Sequence, residues 1–228
     1  MKKYIFPALL LLLTAVATMS FRAAAPGKPK LFPAIEQYFN TVSSVTIPEK
    51  HNLAIKHLGF AISSSIVGKE VSILFTCPDN SFRSQAAQIL LQSLIDANGI
   101  KNVNVLSAGN SVGEIDPRLI KILTAAGYKV SPTTANGKSG YQVTFGEKLP
   151  PVTLYAKAAT DPAVGRTGFY LFKTCDQQET TCTDLSGALF KDQLAYNNPA
   201  DINDEKALQE EFNTIAREMS YIVSESLK

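Results

Sequence analysis

The chain has 228 residues, 45% of them apolar, a formal net charge of +2 and three cysteines. That apolar fraction permits a full hydrophobic core. Removing Lys2, Lys3 and Arg22 from the 22 basic residues leaves 19 against 20 acidic ones, a balance that gives no electrostatic footprint for nucleic acid.

The N-terminus has the layout of an export signal. Lys2 and Lys3 precede an uncharged stretch from Tyr4 to Met19 centred on Leu9 to Leu13, followed by small residues including Ala23, Ala24 and Ala25. The expectation is a signal peptide over residues 1–25. The alternative is an uncleaved anchor, disfavoured because the apolar run falls short of the ~20 residues that span a bilayer. No second long apolar stretch follows, so no membrane association is expected after cleavage. About 200 residues then remain, the usual size of one domain, in a secreted or periplasmic setting.

Residues 26–30 read as a linker. Leu31, Ile35, Phe39 and Val42 have helical spacing, and a second helical pattern covers about 48–67, so residues 26–70 form a linker and N-terminal helical extension. His51 and His57 have no acidic or Cys partner at ligand spacing and read as surface or packed histidines, with no metal. Val71 to Thr76 is a β-rich run that reads as a buried strand. A helix starts at Ser84 and stops at Asn98-Gly99, and Asn102 to Ala108 reads as a second strand. Asp116-Pro117 is an N-cap with Pro at the first helical position. Residues 130–146 carry no clear pattern. Val152 to Ala156 and Gly168 to Lys173 read as further strands, and a last helix runs from about Asp204 to Leu227. The alternation implies an α/β fold: a four-stranded, mainly parallel sheet with helices on both faces over residues 71–228, after the helical extension.

Cys77-Pro78-Asp79-Asn80-Ser81-Phe82-Arg83 joins the first strand to its helix. Open α/β sheets bind ligands at the carboxyl ends of their strands. Loop amides and a helix N-terminus attract an anion there, and favour the thiolate of a Cys at the loop's start. Arg83 can offer a planar fork to a tetrahedral oxyanion. In an oxidising compartment three cysteines leave at least one unpaired within the chain. Either one disulfide accompanies a buried free Cys, or one reactive thiol has two redox partners.

The segment Ile73 to Gln85 resembles the signature of low-molecular-weight tyrosine phosphatases and thioredoxin-coupled arsenate reductases, in which Cys-x-Gly-Asn-x-x-Arg-Ser follows a strand. The resemblance continues through Ser107-Ala108-Gly109, Asp116-Pro117-Arg118 and Ala126-Gly127. It is nearest to arsenate-reductase-like proteins with an N-terminal helical segment. Cys175 and Cys182 match a Cys pair that such reductases carry. The resemblance implies Cys77 as nucleophile, with Arg83 and loop amides on the oxyanion, and Asn80, Ser81, Phe82 and Ser84 forming the substrate loop. It further implies Cys175 attacking the Cys77 adduct, Cys182 resolving the disulfide, and a thioredoxin-like reductant. The substrate would be a small oxyanion or phosphoester, with no cofactor. A Cys175–Cys182 bond with Cys77 free is expected outside the cytoplasm.

Four departures from the pattern predict impaired catalysis. Asn198 stands where the family's general acid Asp precedes Pro199. Pro78 has no N–H to offer. Asp79 replaces a Gly, which puts a carboxylate beside an anion site and predicts a backbone conformation that Gly accepts more easily. No aromatic pair follows Pro199. A catalytically degenerate anion- or partner-binding protein and an exported thiol-disulfide protein are the alternatives.

Overall fold

Strand β1 (Val71–Cys77) is buried along nearly its whole length, as a run without polar alternation requires. It sits inside a four-stranded sheet of order β2-β1-β6-β7, formed with β2 (Val103–Gly109), β6 (Phe169–Lys173) and β7 (Ala188–Gln193). All three pairings are parallel, with Cys77 opposite Gly109 at the carboxyl edge. The computed structural model describes residues 30–43, 47, 49–165, 167–176, 179, 181, 182 and 184–228. The signal-like segment and the first four linker residues lie outside them.

Helices α3 (Arg83–Ala97) and α5 (Glu205–Ser226) pack on one another, and α3 lies on β1 and β2. The extension forms α1 (Pro33–Val42) and, after a short 3-10 turn at Glu49–His51, α2 (Asn52–Ile66). Both pack on α5, so Ile35, Phe39, Leu58 and Ile62 share one core with Ile73 and Phe75. The opposite sheet face buries Leu74 and Leu171 in a smaller cluster capped by Val164 of a 3-10 helix at Pro162–Val164. Helix α4 (Pro117–Ala125) starts as its sequence dictates: Pro117 is at its first position and the Asp116 carboxylate accepts the Arg118 N–H at 2.9 Å.

The pattern-free stretch proves to be a second, antiparallel sheet of order β3-β4-β5, made by β3 (Lys129–Ala135), β4 (Lys138–Thr144) and β5 (Val152–Tyr155). Its hairpin turns on Asn136-Gly137, both at positive φ (51° and 74°), the pairing that a two-residue hairpin favours. Two readings shift accordingly. Val152 to Tyr155 is a strand of this sheet, and the fourth parallel strand is β7, whose exposed Leu189 and charged Lys191 and Asp192 hide it from a search for apolar runs.

Candidate functional site

The loop between Cys77 and Arg83 begins where β1 ends and stops where α3 begins. Its backbone is held from outside. The Pro78 carbonyl accepts the Asn110 and Ser111 N–H groups, each at 2.9 Å. The Asp79 carbonyl accepts Gly113 N–H, and the Ser81 carbonyl accepts Asp116 N–H, both at 3.1 Å. Gly109 makes this approach possible: a Cβ there would lie 2.7 Å from Asn80 N and 2.8 Å from the Asp79 carbonyl carbon.

Asn80 takes the left-handed conformation expected of it, φ 56°. It is buried, and its side chain braces the loop. Its Nδ2 donates to Ser84 Oγ at 2.8 Å, while its Oδ1 accepts from Gln85 Nε2 at 2.9 Å and Lys157 N at 2.8 Å. Ser84 Oγ stands 3.0 Å from Cys77 Sγ. Having accepted the Asn80 amide proton, the Ser84 hydroxyl can direct its own proton at the sulfur.

Asp79 departs from expectation. It is absent from the positive-φ residues, so it needs none of glycine's freedom. Its Oδ1 accepts Ser81 N–H at 3.1 Å and Ser81 Oγ–H at 2.8 Å, and lies 3.8 Å from Cys77 Sγ. A carboxylate thus takes up a loop amide beside the nucleophile.

Arg83 is buried, and its fork is occupied. Nη1 and Nη2 donate to the two carboxylate oxygens of Glu179 at 2.5 and 2.7 Å, and Nη1 also donates to the Tyr196 carbonyl at 3.0 Å. Burial opposes the Arg83 charge, but the Glu179 hydrogen bonds and charge, with Cys77 and Asp79 behind them, raise its pKa overall. The same bond pulls the Glu179 carboxyl below its ordinary range, against burial. Glu179 escaped the sequence reading. Its sole signal is position, midway between two cysteines.

A pocket of about 360 Å³ opens over the loop, lined by Cys77, Ser81, Phe82 and Arg83 together with Arg118 and Asn198 among others. Four of the expected site residues therefore meet at one cavity. Asn80 and Ser84 lie behind it. Asn198 faces the pocket while its Oδ1 accepts Ala200 N–H at 3.2 Å, capping a short 3-10 turn. Arg118 is fastened to the Asp116 carboxylate and donates to the Pro199 and Ile202 carbonyls. Cys175 and Cys182 are joined in a disulfide and Cys77 is free; neither bridged residue lines this pocket.

The histidines find acidic partners far away in sequence. His51 Nδ1 meets Glu218 Oε1 at 2.7 Å and its Nε2 faces the Ala195 carbonyl at 3.0 Å, while half-exposed His57 meets Asp192. Tyr196 OH donates to the other Glu218 oxygen at 2.6 Å.

The sequence model of the low molecular weight phosphotyrosine protein phosphatase family matches residues 72–143. No curated protein matches the sequence. Similar solved structures include a thioredoxin-dependent arsenate reductase from Corynebacterium glutamicum (17% identity, covering 84% of this chain and 84% of that one, TM-score 0.40). A low molecular weight phosphotyrosine phosphatase from Vibrio cholerae has 15% identity over 68% of this chain and 95% of its own, TM-score 0.43. The solution structure of a low molecular weight protein tyrosine phosphatase from Bacillus subtilis has 17% identity over 69% and 100%, TM-score 0.43.

Proposed function

From the match of residues 72–143 to the low molecular weight phosphotyrosine protein phosphatase family model, we propose that the chain is a member of that family and an exported Cys77-nucleophile protein acting weakly on a small oxyanion or phosphoester. The observation that carries this is the joint presence of Cys77 and Arg83 on one pocket at the carboxyl end of a parallel strand, with a Ser84 hydroxyl 3.0 Å from the sulfur. As a phosphatase, Cys77 attacks phosphorus, the bond to the leaving oxygen breaks, and water later hydrolyses the phosphocysteine. Asn198 has no proton to give the leaving oxygen, which leaves that step to solvent or to a carboxyl group, such as Asp116 at the pocket or Asp201 or Asp204. Pro78 and the Asp79–Ser81 bonds remove oxyanion donors from the loop, which supports a low rate.

As an oxyanion reductase, the Cys77 adduct is attacked by Cys175. A Cys77–Cys175 bond forms as the two-electron-reduced oxyanion leaves. Cys182 then displaces Cys77, giving a Cys175–Cys182 disulfide that a thioredoxin-like dithiol reduces. The bond pattern found, Cys77 free and Cys175–Cys182 closed, is the one in which that relay ends. The exported setting is supported by the signal-like N-terminus.

A second reading, a catalytically degenerate protein that binds an anion or a partner, has one observation for its loss of catalysis: the Arg83 fork is already filled by Glu179. The deciding experiment assays purified protein on an aryl phosphate, and on arsenate with a dithiol, beside Cys77→Ser. Turnover lost in Cys77→Ser establishes the enzyme. No turnover, with phosphate still bound, establishes the binding protein.

A further inference from the structure

Glu179 lies midway along the loop that the Cys175–Cys182 bond closes. One leg of that loop is fixed to the site. Thr174 N and Oγ1 both donate to the Thr76 carbonyl, at 2.8 and 2.9 Å, and Cys175 is buried with its carbonyl held by Gln193 Nε2 at 2.8 Å. The loop also bonds to itself: Asp176 N–H donates to Glu179 Oε1 at 2.9 Å, and Cys182 N–H to the Glu179 carbonyl at 3.2 Å. The disulfide fastens the other leg, so the ring closure limits how far Glu179 can move from Arg83. Its carboxylate meets the guanidinium through two parallel bonds, the geometry Arg offers to two oxygens of a phosphate.

Resting on the reading of Cys77 and Arg83 as an oxyanion site, we infer that Glu179 is a tethered stand-in for the anion, and that the Cys175–Cys182 disulfide is the latch that keeps it in place. A phosphate or arsenate needs the same Nη1 and Nη2 protons and repels the carboxylate, so anion and Glu179 exclude each other. Opening the latch takes a dithiol. It passes two electrons and two protons to the disulfide, the S–S bond breaks to two thiols, and the dithiol closes to its own disulfide. Glu179 must then reach Arg83 from an open chain, at the cost of loop-closure entropy, and the anion competes on better terms. This control differs from the cysteine relay, because it acts on any anion that uses Arg83, including a phosphoester whose hydrolysis consumes no thiol.

The test is calorimetric titration of inorganic phosphate into full-length protein carrying Cys77→Ser, so that reduction alters only the Cys175–Cys182 pair. It is run without reductant and with dithiothreitol, and thiol counting must show two new thiols. In the oxidised state, Glu179→Ala should tighten phosphate binding about tenfold, and reduction of the protein with Glu179 in place should tighten it about fivefold, within the usual span of two-site coupling. Reduction should leave Glu179→Ala unchanged. Glu179→Gln, which keeps the size and loses the charge, should move in the same direction as Glu179→Ala and serves if the alanine variant misfolds.

Equal phosphate affinity with and without Glu179 would overturn the stand-in. A gain from Glu179→Ala with no response to reduction, or an equal response to reduction in both proteins, would overturn the latch. Phosphate binding to none of the forms would overturn the oxyanion-site reading beneath both.

Discussion

At the scale of single residues, the Cys77–Arg83 loop has its polar groups engaged by neighbouring side chains. Asn198 has the shape of an Asp and already faces the pocket, with its Oδ1 accepting the Ala200 N–H. Asp at this position keeps the cap and adds a proton donor. Asn198→Asp is expected to raise aryl phosphate turnover about 100-fold, at the modest end of what general acid catalysis supplies, and Pro78→Thr should add a smaller gain by restoring an N–H. Steady-state kinetics on folded variants checks both. Gly109 matters for a different reason, since its missing side chain lets the loop backbone pass. Gly109→Ala should cost about 1–3 kcal/mol through overpacking and displace Asn80, which would show as lower urea midpoint together with lost turnover. Asn80 and Ser84 could be assigned to the loop through its resemblance to a known signature, and the bond between them spans four residues. The Glu179–Arg83 pair joins residues 96 apart, so no local pattern announces it.

Among the elements, the N-terminal extension is tied to the site by a buried chain of polar groups. His51, just ahead of α2, meets Glu218 on α5. Glu218 accepts from Tyr196 OH, and the Tyr196 carbonyl holds Arg83. The Tyr196 hydroxyl is pushed well above its ordinary pKa, by burial first and by Glu218 second. His51 and Glu218 are 2% and 0% exposed, so removing one partner strands a buried group. His51→Ala should cost about 3–5 kcal/mol in urea unfolding and weaken the site, whereas His57→Ala, whose side chain is 36% exposed, should cost below about 1 kcal/mol. Equal costs would mean that the buried chain contributes nothing special. Helices were the most legible elements, because caps such as Asp116 and Asp204 and apolar spacing act within a few residues. The β3–β4 hairpin was not legible, because strands with exposed polar residues on either side of Asn136-Gly137 gave no apolar run.

For the molecule as a whole, one buried charge makes a pH-dependent contribution. Lys157 is buried beside the loop, with Nζ donating to the Tyr155 carbonyl at 3.0 Å and lying over the Tyr155 ring. Burial lowers its pKa to about 8, Asp161 opposes the fall and Lys138 adds to it. The folded-state value lies below the unfolded one, so between the two the unfolded chain holds more protons and stability rises with pH. Lys157 therefore costs stability below pH 8, and the cost fades towards pH 10. Lys157→Met should be the more stable protein at pH 7 by on the order of 1–3 kcal/mol, with the difference closing by pH 10 in parallel urea titrations. A constant difference across that range would mean that Lys157 is charged throughout in the folded state.

The sequence by itself determined the parallel α/β core, the place of Cys77 at a strand's carboxyl end, the left-handed Asn80 and the helical extension. Each follows from interactions within a few residues: apolar periodicity, capping, and the steric limits of single dihedrals. Only the tertiary structure decided that Arg83 is filled by Glu179, that Asp79 turns its carboxylate onto Ser81 without needing glycine's backbone, and that β7 completes the sheet. It also decided that His51 and Glu218 find each other inside the core. These depend on which distant groups burial forces together. A guanidinium or carboxylate withdrawn from water must be paired by whatever the fold brings within reach, and no spacing along the chain specifies that partner.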